Sequence, residues 1–241
     1  MNKVFTVIDK KFLSLVEIMT KSLFRHNTCT LYIGIVGINN VSKVSLDKIR
    51  RISPSIVLFS VDCKSWLNNR MAHRLELLSN MPMYENEIVY VLDADLYIRD
   101  DIFKWFDANT DILLTTRPEF NLTVNGGVWG YRWNDRGKRF IQFFLEQMHD
   151  ITWGSLKEFQ KKWEHLEAGR DWWLDQDFLC CVNDIGLKFP CNIKRLHCRT
   201  HNCSPRKDNI GASIENLDKK ILHFKGSLKK VWVDYYNRNL S

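Results

Sequence analysis

A chain of 241 residues with 45% hydrophobic and 26% charged side chains can bury a full core, which argues against wholesale disorder and favours one domain. Its net charge of +7 suits an anionic partner, whether nucleotide diphosphate, nucleic acid or acidic membrane surface, and does not choose among them. No run approaches the roughly eighteen apolar residues of a spanning helix, so a transmembrane segment is not expected.

The N-terminal stretch is broken by Asp9, Lys10 and Lys11 and reads as a first strand over residues 4–8 rather than a signal peptide. The apolar spacing of Phe12, Leu13, Leu15, Val16, Ile18, Met19 and Leu23 then predicts a helix. A second strand over 31–36 ends at Gly37, a short helix covers 45–52, a third strand 55–59, and a helix 70–78 sets Met71, Leu75 and Leu78 on one face. The strand 88–92 comes next. Strands alternating with helices imply an α/β fold with a mostly parallel sheet covered on both faces, whose ligands gather beyond the carboxyl ends of the strands.

The strand 88–92 runs directly into Asp93-Ala94-Asp95. Side chains two apart on an extended backbone point the same way, so the two carboxylates form a clamp of hard oxygens suited to Mg²⁺ or Mn²⁺. Mn²⁺ also accepts an imidazole, which the distant His223 can supply, and Lys229 can neutralise a leaving phosphate.

Beyond the clamp, Asp100 and Asp101 start a capped turn at 102–106, and residues 112–116 form another strand. Asn125-Gly126-Gly127 precedes a further apolar strand and marks either a close backbone approach to a ligand or a bulge. Residues 140–148 are helical by pattern, and Asp171 to Leu179 opens another helix with acids in its first turn. Residues 188–222 give no clear periodicity. Within them Cys191, His197, Cys198, His201 and Cys203 supply enough thiols and imidazoles for zinc, but no CxxC spacing, and free side chains in a loop are the default. Seven cysteines, two of them the adjacent Cys180 and Cys181, suit reduced core thiols and a cytoplasmic setting, where the sequons at Asn121, Asn202 and Asn239 carry no weight. The tryptophans at 129, 133, 153, 163, 172 and 173 are expected mostly in packing roles.

Leu92-Asp93-Ala94-Asp95, Asn125-Gly126-Gly127-Val128, Asp175-Gln176-Asp177 and His223-x-x-Gly226-x-x-Lys229 together resemble the retaining nucleotide-sugar glycosyltransferases of the glycogenin and lipopolysaccharide-galactosyltransferase type, the family-eight-like group. The likeness runs from Val4 to Trp232. It implies a single GT-A domain over residues 1–241, with 1–116 the nucleotide-binding half and 117–241 the acceptor-binding half plus the C-terminal metal and diphosphate motif. It also implies Mn²⁺ or Mg²⁺, a UDP-hexose donor and a saccharide or glycan acceptor. By position, Asp93, Asp95 and His223 would hold the metal, and Gly226 and Lys229 would meet the diphosphate. Phe12 would stack on the base with Asp9 close by, and Arg74 would reach donor phosphate or sugar. Asn125, Gly126 and Gly127 would line the sugar pocket, with Asp175 and Gln176 at its other wall as catalytic candidates beside Lys229. Two features depart from the pattern: the segment from Asp9 to Phe12 is one residue longer than usual, and Lys230 stands where the family has proline.

The charge build-up on a departing diphosphate explains why a metal and a lysine belong in such a site. Other outcomes of the same residues are transfer to modified DNA bases, a binding module without turnover, and a nucleotidyltransferase or phosphohydrolase, which also uses paired carboxylates.

Overall fold

Val4, Phe5, Val7 and Ile8 put apolar side chains on both odd and even positions, as a strand covered on both faces requires. In the computed structural model, which describes residues 1–64, 70–120, 122–149, 174–205 and 210–240, they lie in β1 (Lys3–Ile8). The chain continues through α1 (Leu13–His26), β2 (Thr30–Val36), α2 (Lys43–Arg50), β3 (Ile56–Val61), α3 (Arg70–Ser79), β4 (Ile88–Leu92) and β5 (Leu96–Ile98). Then come β6 (Ile112–Thr116), β7 (Val124–Arg132), α4 (Asp135–His149), α5 (Leu174–Asp184), β8 (Ile193–His197), α6 (Cys198–His201), α7 (Ile210–Glu215), β9 (Ile221–His223) and α8 (Leu228–Asn239).

Seven strands form one sheet in the order β3-β2-β1-β4-β7-β6-β8, and β7 runs against its two neighbours while the other pairings are parallel. Central β4 shows why its sequence is uniformly apolar. Val89 and Val91 join the core cluster on one face with Leu75, Phe140, Phe144 and Phe178, while Ile88, Tyr90 and Leu92 join the cluster on the other with Val16, Met19 and Leu31. The period of two is intact, but both faces are buried, so both sets must be hydrophobic. The rings of Phe144 and Phe178 stack with centroids 3.9 Å apart and join α4 to α5.

The remaining two strands explain what the sequence left open. The short β5 pairs antiparallel with β9, Leu96 opposite His223 and Ile98 opposite Ile221. A third apolar cluster, in which Phe224 stacks on Trp232 at 4.1 Å, packs α8 and this ribbon against α1. Residues 188–222, unreadable by period, thus hold β8, α6, α7 and most of β9, elements of three to six residues. Such short pieces never complete a helical or strand repeat long enough to see. The expected helix start at Asp171, Asn121 and the tryptophans at 153, 163, 172 and 173 lie outside the described residues. Among the described residues no helix is long and apolar enough to cross a membrane.

Candidate functional site

Beyond the carboxyl ends of β1 and β4 opens a pocket of about 640 Å³. It collects every site residue expected from the sequence. Asp9 and Phe12 stand on the turn after β1, Arg74 on α3, and Asp93 and Asp95 just past β4; Asn125, Gly126 and Gly127 lie on β7, Asp175 and Gln176 on α5, and His223, Gly226 and Lys229 come from β9 and the start of α8.

His223 reaches the two aspartates because of strand register. Pairing of Leu96 with His223, reinforced by the Phe224 amide donating to the Asp95 carbonyl at 2.9 Å, sets the imidazole beside Asp95 although the two are far apart in sequence. His223 Nε2 is then 3.1 Å from Asp95 Oδ1 and 3.5 Å from Asp93 Oδ2. Asp93, Asp95 and His223 can each offer one donor atom within 4.8 Å of the others, and they are the group of this kind among the described residues. Cys191, His197, Cys198, His201 and Cys203 do not form one: Cys198 is buried and His201 packs edge-on against Trp105.

Two carboxylate oxygens and one imidazole nitrogen suit a divalent cation of the Mn²⁺ kind, with Mg²⁺ less at ease with the nitrogen. The backbone leaves room for it. A Cβ at position 127 would fall 2.3 Å from His223 Cε1 and 2.6 Å from Asp93 Oδ2, so only glycine lets β7 run behind this group. The glycines lie inside β7 rather than ahead of it, where the pairing with β6 shifts register between Leu114 and Thr116. Both sequence readings, bulge and close approach, describe the same stretch.

The charges around the group differ sharply. Burial alone would raise the Asp95 carboxyl, but attraction and hydrogen bonding to His223 and to Lys229, whose Nζ is 3.0 Å from Oδ2, hold it down at about 2. Across the pocket, burial pushes Asp175 up to about 6, against the pull of Arg74 and with a further push from Asp93. Arg74 stands between them, Nη1 3.6 Å from Asp93 and 3.7 Å from Asp175, while Nη2 donates to the Leu92 carbonyl at 3.2 Å. Burial and the neighbouring Asp175 raise Asp177 to about 7.

Toward the mouth, Lys229 also lies over the Phe12 ring at 4.5 Å, and Asp9 accepts from the Lys11 amide at 2.7 Å, capping its turn. Gly226 adopts a left-handed φ of 56°, which turns the chain from β9 into α8 and brings Lys229 back over Asp95. On the far wall the Gln176 amide nitrogen is buried with no hydrogen-bond partner among the described residues, an orphan donor in a pocket-lining side chain.

Three residues escaped the sequence reading. Lys225 lines the pocket and donates to Asn125 Oδ1 at 3.0 Å, and burial, aided by Arg117, lowers its pKa. Asn202 and Thr115 sit behind His223 in the core. Lys225 was visible inside the His223 to Lys229 motif, but a buried Asn on an irregular segment leaves no periodic signal.

No protein-family model and no curated protein matches the sequence. Solved structures do match. The galactosyltransferase LgtC in complex with donor and acceptor sugar analogs is 12% identical, with a TM-score of 0.59 over 93% of this chain and 87% of its own. The glycosyltransferase GlyE of Streptococcus pneumoniae TIGR4 is 18% identical, with a TM-score of 0.61 over 97% of this chain and 59% of its own. Mouse xyloside xylosyltransferase 1 in its apo form is 15% identical, with a TM-score of 0.56 over 94% and 97%. The chain therefore has the GT-A fold of these glycosyltransferases, in one α/β domain.

Proposed function

We propose that this protein is a metal-dependent glycosyltransferase that moves a hexose from a nucleotide diphosphate sugar, UDP-linked by the resemblance, to a saccharide or glycan acceptor with retention at the anomeric carbon. The observation that carries the reading is the convergence of Asp93, Asp95 and His223 at the end of β4, with the Lys229 ammonium 3.0 Å from Asp95, on a GT-A fold. Mn²⁺ or Mg²⁺, when bound by Asp93, Asp95 and His223, supplies Lewis-acid stabilisation of charge developing on a leaving diphosphate.

The chain's own groups divide the remaining work. Lys229 carries a fixed positive charge to the side where the diphosphate leaves, next to the turn of Gly226. Phe12 and Asp9 offer a ring face and a carboxylate to the base. Arg74 lies beside Asp93 and Asp175 and faces the donor. Asn125, Gly126 and Gly127 leave one side of the sugar pocket open to a close approach, and the unpartnered amide of Gln176 offers a donor to the sugar from the other. Asp175 and Gln176 are the groups available beneath the sugar, either as nucleophile or as stabiliser of same-face attack. Seven cysteines, two of them adjacent, suit a reducing cytoplasm as the proposed setting.

The test is nucleoside diphosphate release from a panel of nucleotide sugars, with and without Mn²⁺ and with candidate saccharide acceptors, beside Asp95→Asn. Metal-dependent release from one donor is expected, reduced in the variant by at least about 10²-fold. Release of pyrophosphate or inorganic phosphate instead would turn the assignment to nucleotidyl or phosphoryl chemistry, and the absence of both donor binding and release would defeat it.

A further inference from the structure

The irregular segment ending at Cys203 delivers an amide, not a zinc site, to the metal-ligating group. Asn202 follows α6 and is 1% exposed, Thr115 on β6 is fully buried, and His223 is 2% exposed, so no bulk water competes for their hydrogen bonds. The direction of each bond is forced from the far end of the chain. The Val128 carbonyl can only accept, so the single hydroxyl hydrogen of Thr115 points to it at 2.8 Å, with the Asn125 carbonyl also near at 3.1 Å. Thr115 Oγ1 is then an acceptor, and it takes the Asn202 amide, Nδ2 donating at 3.0 Å. That orientation turns Asn202 Oδ1 toward His223 Nδ1 at 2.9 Å. An amide oxygen can only accept, so the hydrogen sits on Nδ1. The other ring nitrogen, Nε2, faces Asp95 and Asp93 at 3.1 and 3.5 Å, and any hydrogen it shares with Asp95 is displaced when a cation binds.

We propose that Asn202, itself oriented by Thr115, is a positioning residue that keeps the hydrogen of His223 on Nδ1 and leaves Nε2 as the nitrogen through which a divalent cation is taken up at Asp93 and Asp95. The inference rests on the metal-centre reading of the proposed function, though its tests need no turnover. Outer partners of this kind fix ring orientation and ligand basicity, and their loss weakens metal binding by roughly 10–100-fold. The sequon at Asn202 gains a structural explanation as well: its side chain is committed to the core and out of reach of glycosylation in the folded chain.

Mn²⁺ titration, followed by the spin-resonance signal of the free ion, compares three chains. Asn202→Leu keeps the bulk and removes the acceptor, and its Mn²⁺ affinity is expected to fall by about 10–100-fold. Asn202→Asp, whose carboxylate accepts the same hydrogen while the Thr115 hydroxyl turns to meet it, is expected to recover most of that loss. Unchanged affinity in Asn202→Leu, or equal losses in both variants, would overturn the proposal, because a purely structural role gives no reason for the acid to rescue. A second measurement needs no variant: ¹⁵N spectra of histidine-labelled wild-type protein, taken about two pH units above the ordinary imidazole range, report which ring nitrogen carries hydrogen. A protonated Nδ1 at His223 is expected, and a bare Nδ1 would overturn the proposal even if Asn202→Leu fails to fold. Absence of Mn²⁺ binding in the wild-type chain would instead defeat the metal reading beneath it, with the nitrogen assignment standing apart.

Discussion

The two walls of the pocket treat buried carboxylates in opposite ways. Asp95, on the wall made by the end of β4, β9 and the start of α8, is held at about 2, whereas Asp175 on the wall opened by α5 rises to about 6. Exposure does not separate them: their side chains are 6% and 13% exposed. Burial pushes both upward, and the outcome turns on the hydrogen-bonding and charged partners within reach. Asp95 has His223 at 3.1 Å and Lys229 at 3.0 Å, while Asp175 shares Arg74, at 3.7 Å, with Asp93. Asp95 therefore stays ionised at neutral pH, which suits a cation. The second wall sits near the edge of ionisation and is suited to hydroxyl-bearing ligands that hydrogen-bond a carboxyl in either form.

The change that should break the first wall most completely is Gly127→Ala. Its methyl would collide with both His223 and Asp93, and displacement of either by about 1 Å is enough to cost on the order of 10²-fold in Mn²⁺ affinity and in any metal-dependent turnover. Gly126→Ala is the control on the same strand, since its Cβ would meet Gln176 Cβ at 3.4 Å, an ordinary contact. Mn²⁺ titration of the two variants beside their melting curves checks the contrast, and similar affinities in both would mean that the first wall is more pliable than its geometry implies.

A smaller effect is expected from Arg74→Met, which removes the guanidinium shared by the two walls. Asp175 then loses its largest downward pull and its pKa should climb beyond about 6, while Asp95 keeps both His223 and Lys229 beside it. Mn²⁺ affinity should change little, and nucleotide-sugar affinity measured by calorimetry should fall by about ten- to a hundredfold. A matching loss in both would show that Arg74 supports the metal side as much as the donor side.

The two walls were not equally legible in the sequence. The long, strongly periodic elements β1, α1, β2, α3 and β4 could be read directly, and with them the carboxylates at the end of β4, because apolar runs and helical spacing report burial without help from distant contacts. The glycines of β7 were legible as a close approach, but not the group they approach. His223 was found through its spacing to Gly226 and Lys229. What seats it beside Asp95 is a three-residue ribbon, β5 with β9, and an amide from an irregular segment, neither of which has a period to read. The direction of the Asp175 shift was equally invisible, since it depends on burial beneath α5 and on one arginine far away in the chain.

The least disruptive test concerns Asp177, at the back of the second wall. In the folded chain burial and Asp175 raise it to about 7, against an ordinary aspartate value near 3.9 when unfolded. Between those values the native state holds a proton that the unfolded state has released, so the contribution to stability is full below about pH 4 and is lost as pH rises through about 7. Asp177→Asn cannot ionise and escapes that loss. Its stability relative to wild type should therefore increase from acid toward neutral pH, by on the order of 1–2 kcal/mol after allowance for partial exposure, with Mn²⁺ affinity unchanged. Denaturant unfolding of both chains across about pH 4–8, which spans the window between the unfolded and folded values, provides the comparison. Parallel curves would place Asp177 at an ordinary pKa, and the contrast between the two walls would then rest on Asp95 and Asp175 alone.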